Sequence, residues 1–155
     1  MATARVGAKV PDFSLPASGG EVWHFKQAAG RKLVIYFYPK DMTAGCTRES
    51  QDFRDLQPAF RKAGVQIVGV SRDSVASHDK FAAKEKLSFP LLSDADEKVC
   101  KLFDVIKEKS LYGRKYLGIE RSTFLVDTTG VLRREWRKVK VPGHAEEVLE
   151  AAKSL

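Results

Sequence analysis

Residues 32–50 read KLVIYFYPKDMTAGCTRES, and their reading decides the fold. KLVIYFYP is a near-continuous apolar, β-branched and aromatic run, the mark of a central strand buried on both faces. Pro39 stops it, and a short polar turn follows. From about residue 46 to residue 63, Phe53, Leu56 and Phe60 recur at spacings of three and four, which predicts an amphipathic helix. A buried strand that turns into a helix is the first part of a βαβ unit. Open α/β sheets place their sites at such a turn, outside the carboxyl end of the strand, and Cys46 stands there.

Outward from this unit the pattern alternates. Toward the N-terminus, PDFSLPASGGEVWHF (11–25) sets two strand-like pieces around Ser-Gly-Gly and predicts a hairpin. Toward the C-terminus, VQIVGVSRD (65–73) is a second buried strand and SVASHDKFAAKEKL (74–87) a helix capped by Ser74. FPLLSD (89–94) is a short strand, and DADEKVCKLFDV (94–105) a helix with Val99, Leu102 and Phe103 inward. RSTFLVDTTGVLRREWRKV (121–139) gives two strands around a Thr-Thr-Gly turn, and PGHAEEVLEAAKSL (142–155) a closing helix. The order implies an α/β sandwich with a mixed sheet and one domain over 1–155.

With 155 residues, 43% hydrophobic and 30% charged, the chain is long enough to bury a core without disulfide or metal support. No stretch approaches the roughly 20 apolar residues that span a bilayer, and MATARVGAKVPDF lacks the apolar core of a signal peptide, so no membrane association and a cytoplasmic location are expected. His24, His78 and His144 show no ligand spacing. They read as surface or capping residues, and no metal site is expected. The net charge of +7 is uneven. Residues 98–140 hold twelve Lys and Arg against five Asp and Glu. A solvated face and a charged edge strand account for this. RREWRKVK (133–140) leaves open an alternative, a basic redox-sensitive binding module, although nucleic acid is not an expected partner.

Cys46 falls at the start of the predicted helix, where unpaired N–H groups and the helix dipole favour thiolate over thiol. Pro39 can shield the sulfur from solvent, Thr43 offers a hydroxyl three residues earlier, and Gly45 lets a small substrate approach the backbone. Lys40, Asp41, Arg48 and Glu49 surround the cysteine with charge and predict that it is not deeply buried. Cys100, among Val99, Leu102 and Phe103, reads as a packing residue.

Pro39, Thr43 and Cys46 fit the Pro-x-x-x-Thr-x-x-Cys signature of the peroxiredoxins. FYPKDMTAGCTRESQDFRD resembles the bacterioferritin comigratory protein subfamily, also called peroxiredoxin Q. The likeness extends through Gly7 to Leu15, LLSDADEKVCKLFDV, GIERSTFLVD and HAEEVL. It implies a thioredoxin-like sandwich, with a mixed central sheet flanked by helices and an N-terminal β-hairpin extension. It also implies reduction of hydrogen peroxide and alkyl hydroperoxides through a Cys46 sulfenic acid, without a bound cofactor. Arg121, opening RSTFLVD, is implied as the site's cation, held by Glu49, while Thr43 Oγ and the Cys46 N–H are implied as donors to the peroxide. Many subfamily members carry a resolving cysteine five residues after the first, but here Gln51 stands there. A one-cysteine enzyme recycled by thioredoxin, glutaredoxin or a small thiol follows, as a monomer or weak dimer, with Cys100 the remaining possible resolving residue. Ala44, where the family often has proline, removes no functional group.

Overall fold

The computed structural model describes residues 3–155. At its centre lies β3 (Lys32–Phe37), whose residues Leu33 to Phe37 are fully buried together with Tyr38 just beyond. β1 (Ser14–Pro16) and β2 (Val22–His24) precede it as the expected antiparallel hairpin. After β3 come α1 (Ala44–Lys62), β4 (Val65–Ser71), α2 (Val75–Glu85), β5 (Leu91–Ser93) and α3 (Lys98–Leu102). β6 (Ile106–Leu111), β7 (Arg114–Ile119), β8 (Ser122–Val126), β9 (Leu132–Trp136) and α4 (His144–Lys153) complete the order. The five-stranded sheet runs β5-β4-β3-β8-β9; β4 is parallel to β3 and to β5, whereas β8 is antiparallel to β3 and to β9.

Because successive side chains of a strand point to opposite faces, β3 feeds two separate cores. Leu33, Ile35 and Phe37 pack with Phe13, Leu15 and Trp23 of the hairpin region and with Val99, Cys100 and Phe103. Val34, Tyr36 and Tyr38 pack with Cys46, Phe53 and Phe60 of α1, Phe81 of α2, and Val148 and Leu149 of α4. Burying each such aromatic contributes about 1.5–3 kcal/mol. Tyr36 stacks on Phe53 and also needs Gly69 on β4, where a Cβ would lie 2.8 Å from its Cζ.

Local chemistry sets the element ends. Ser74 caps α2 as expected, its Oγ accepting from the Ser77 N–H at 3.1 Å. α1 begins at Ala44, two residues earlier than its apolar spacing suggests. α3 is shorter than predicted because the Asp94 carboxylate, upstream of it, accepts the N–H groups of Val99 and Cys100 at 3.2 and 2.6 Å. The β6–β7 hairpin has no counterpart in the sequence prediction. Tyr112 and Gly113 form its two-residue turn, both at positive φ (51° and 79°), the geometry that matches the twist of a hairpin. The basic stretch resolves into this exposed hairpin and edge strand β9, where Arg133, Arg134 and Glu135 face solvent. Among the described residues, no helix is long and apolar enough to cross a membrane.

Candidate active site

The register of the sheet assembles the site. Phe37, the last residue of β3, pairs with Ser122, the first of β8, so the residue before Ser122 lies beside the turn that leaves β3. That residue is Arg121. Its Nη2 donates to Cys46 Sγ at 3.4 Å, and its Nη1 donates to Glu49 Oε1 at 2.7 Å. Sulfur and carboxylate are one helical turn apart on α1, so one guanidinium reaches both through its fork of donors. Gly45 makes the approach possible, since a Cβ there would stand 3.1 Å from Arg121 Nη2. Residues 75 and 72 positions apart in sequence thus meet around one guanidinium.

The start of α1 adds donors. Thr43 opens the helix in extended conformation without capping it, and the first intrahelical bond runs from the Thr47 N–H to the Thr43 carbonyl at 2.9 Å. The N–H groups of Ala44, Gly45 and Cys46 precede that ladder and are oriented to serve an anion. Thr43 Oγ1 donates to the Lys40 carbonyl at 2.8 Å, so its hydrogen is taken and its lone pairs are free. Thr43 therefore presents an acceptor where the sequence reading expected a donor.

A model of the AhpC/TSA family matches residues 6–135. Peroxiredoxin Bcp of Xanthomonas campestris is 56% identical, over 99% of this chain and 96% of that protein. Peroxiredoxin Bcp of Bacillus subtilis is 47% identical, over 99% and 98%. The chain belongs to the AhpC/TSA family. Its backbone also matches the solved structure of X. campestris peroxiredoxin Q, with a TM-score of 0.90, 56% identity and coverage of 99% and 97%. The fold is thus the thioredoxin-like one of the peroxiredoxins.

In this peroxiredoxin the charge around Cys46 does not keep the thiol near the surface. Cys46 is 1% exposed, and Asp41 and Glu49 turn inward with it, while Lys40 and Arg48 point out. Each inward carboxylate has found a buried cationic or donor partner, which is what makes its burial affordable. Burial pushes the Glu49 carboxyl up to about 7, against the opposing pull of the Arg121 guanidinium. Its second oxygen, Oε2, is buried without a partner. Burial works against the Arg121 charge, but Glu49 and Cys46 outweigh it and hold the guanidinium more firmly protonated than usual. Pro39 is half-buried at the head of the turn.

Cys100 is fully buried in the other core, on the opposite face of the sheet from Cys46. Burial, then the neighbouring Asp94 carboxylate, drives its thiol far above the usual range, so it stays protonated. The histidine reading needs correction. His24 does sit at a helix start, with its N–H bonded to Gln27 Oε1 at 2.7 Å. His78 and His144 are instead buried. Burial lowers His144 to about 4, so the ring is neutral; its Nε2 lies 2.8 Å from Thr123 Oγ1. Lys109, on β6, was not singled out by sequence: it is half-buried, and burial and then the field of Arg121 lower its pKa.

Proposed function

We propose that the chain is a single-domain, thiol-dependent peroxidase whose peroxidatic nucleophile is Cys46. The observation that carries this reading is the 3.4 Å contact from Arg121 Nη2 to Cys46 Sγ, with Nη1 held by buried Glu49. A fixed cation beside the sulfur favours the thiolate and stabilises the charge that spreads along the O–O bond in the transition state. The thiolate attacks the terminal oxygen of ROOH; an S–O bond forms, the O–O bond breaks, and the departing alkoxide takes a proton and leaves as alcohol or water. Cys46 is left as sulfenic acid. The open lone pairs of Thr43 suit the O–H of the entering peroxide, and the N–H groups at the start of α1 suit its developing negative charge.

Recycling proceeds through an external thiol. A thiolate attacks the sulfenic sulfur, expels water and forms a mixed disulfide, which a second thiol reduces. Thioredoxin, glutaredoxin and a small thiol all meet that requirement. Three features support a one-cysteine cycle. Gln51 occupies the position five residues past Cys46 and is engaged with Glu85 Oε1 at 2.8 Å. In the X. campestris protein, serine mutants exist for two cysteines 36 positions apart, and the residue 36 positions past Cys46 here is Ala82. Cys100 has the central sheet between it and Cys46. That relative's structures bear on alkyl peroxide reduction, and the same substrate class is proposed for this chain. Nothing in the relatives favours the alternative of a basic binding module.

Intact mass after one equivalent of peroxide tests the cycle. A gain of one oxygen is expected in both wild type and Cys100→Ser. Loss of two hydrogens in wild type alone would show a Cys46–Cys100 disulfide and overturn the one-cysteine reading.

A further inference from the structure

The turn between β3 and α1 is held by a buried polar cluster that the peroxide chemistry above does not use. Its hub is Asp41. One carboxylate oxygen, Oδ1, accepts from Tyr38 Oη at 2.6 Å; the other, Oδ2, accepts from Ser77 Oγ at 2.8 Å and from His78 Nδ1 at 2.8 Å. The Asp41 backbone N–H donates to Asp73 Oδ2 at 2.9 Å, and Asp73 also accepts from Ser71 Oγ at 2.5 Å. Four elements therefore converge on one residue: the end of β3, the β4–α2 loop, α2 itself and, through His78, β5.

His78 Nε2 lies 2.9 Å from the Leu92 carbonyl, which only accepts, so Nε2 carries a hydrogen. Nδ1 lies 2.8 Å from the same Asp41 oxygen that receives the Ser77 hydroxyl, and 3.5 Å from Tyr38 Oη. Asp41 and His78 form a dry hydrogen-bonded pair, with side chains 1% and 0% exposed. Breaking such a pair by removing one partner is costly, because the other is left buried and uncompensated. Next to it, Met42 holds φ at 68°, a left-handed conformation uncommon for a residue other than glycine. Lys40 supplies the carbonyl that takes the Thr43 hydrogen at 2.8 Å. Lys40 and Met42 flank the residue that is clamped.

We propose that Asp41, clamped by His78, Tyr38 and Ser77, is a positioning residue for peroxide reduction: it fixes the turn so that the Thr43 lone pairs and the open N–H groups of α1 face the Cys46 sulfur. Its role is to impose orientation on Thr43 through the strained Met42 peptide, not to touch substrate. The proposal rests on Cys46 being the peroxidatic nucleophile.

Two reactions of the same sulfur separate positioning from folding. Alkylation by iodoacetamide reads thiolate and access alone, whereas single-turnover oxidation by hydrogen peroxide also needs Thr43 in place. In Asp41→Asn, assayed where circular dichroism shows the folded protein, the peroxide rate should fall ten-fold or more while alkylation changes less than two-fold. A ratio of the two rates within two-fold of wild type, whatever the loss in Tm, would overturn the proposal, as would an equal fall in both. If Asp41→Asn does not fold, His78→Asn decides by the same ratio, with a three-fold fall as the threshold, since asparagine keeps a donor near Nδ1 but loses the ring and its bond to Leu92. Wild type that alkylates at Cys46 yet fails to reduce peroxide would count against the peroxidase reading itself; wild-type activity with an unchanged variant ratio would count against Asp41 alone.

Discussion

Cys46 and Cys100 are the same residue, both sealed from solvent, on opposite faces of one sheet, and each lies near a buried carboxylate. At Cys46 the carboxylate is Glu49, which grips a guanidinium and leaves one of that cation's nitrogens against the sulfur. At Cys100 it is Asp94, which accepts the cysteine's own N–H and presents negative charge to the thiol. Burial is thus common to the thiol proposed as the nucleophile and to the one proposed as inert. What separates them is the sign of the neighbouring charge and whether a helix start points at the sulfur.

The widest separation should appear in the thiols themselves. Cys46→Ser should lower peroxide reduction by roughly 1,000-fold or more, and Cys100→Ser should keep the oxidation step within about three-fold of wild type. Stopped-flow oxidation of each variant checks this, and the reverse pattern would break the comparison. Next in size is the cation. Arg121→Ala should slow peroxide reduction about 100-fold, close to 3 kcal/mol, the cost of losing one preorganised donor. Arg121→Lys should recover only part of it, because an ammonium cannot reach sulfur and carboxylate with one planar fork.

The buried carboxylate gives a stability signature. An unfolded glutamate releases its proton near pH 4.3, whereas Glu49 holds it to about 7 when folded. Between those values the folded chain keeps a proton that the unfolded chain has lost, so stability should fall as pH rises through the window and level off above it. The fall should be on the order of 3–4 kcal/mol and absent from Glu49→Gln. Urea midpoints of both proteins from pH 4.5 to 8 measure the difference. The smallest effect is expected at Gly45. Gly45→Ala sets a methyl 3.1 Å from Arg121 Nη2, and a shift of a few tenths of an ångström in the guanidinium should slow oxidation by about two- to five-fold, with thermal stability little changed.

The features that the sequence shows plainly are those with a strong periodicity or a motif. Phe53 and Phe60 mark α1, and the unbroken run to Tyr38 marks the strand at the middle of the sheet. The β6–β7 hairpin was illegible because it buries little: Leu111, Tyr112, Tyr116 and Leu117 all remain exposed, and no apolar face organises its pattern. Its one local signal was the Tyr112-Gly113 pair. Within the candidate site, which residues meet was legible and their depth was not. Asp41 and Glu49 read as solvent-seeking charges because their partners, His78 and Arg121, are 37 and 72 residues away and become neighbours only through the sheet. The same long-range pairing hides the burial of His78 and His144.

Strict alternation along β3 also gives the chain a parity. Odd-numbered residues from Leu33 to Phe37 belong to one compartment and even-numbered ones to the other. A single-residue insertion within this stretch would exchange the two sets downstream of it, taking Tyr36 away from Ser50 Oγ, its partner at 2.9 Å, and from the ring of Phe53. An insertion of two residues would restore the faces but push Pro39 and the turn beyond it out of reach of Arg121. Changes of length should therefore be borne best where no parity is kept, such as the tip of the hairpin at Tyr112 and Gly113, and worst in the strand that divides the two thiols.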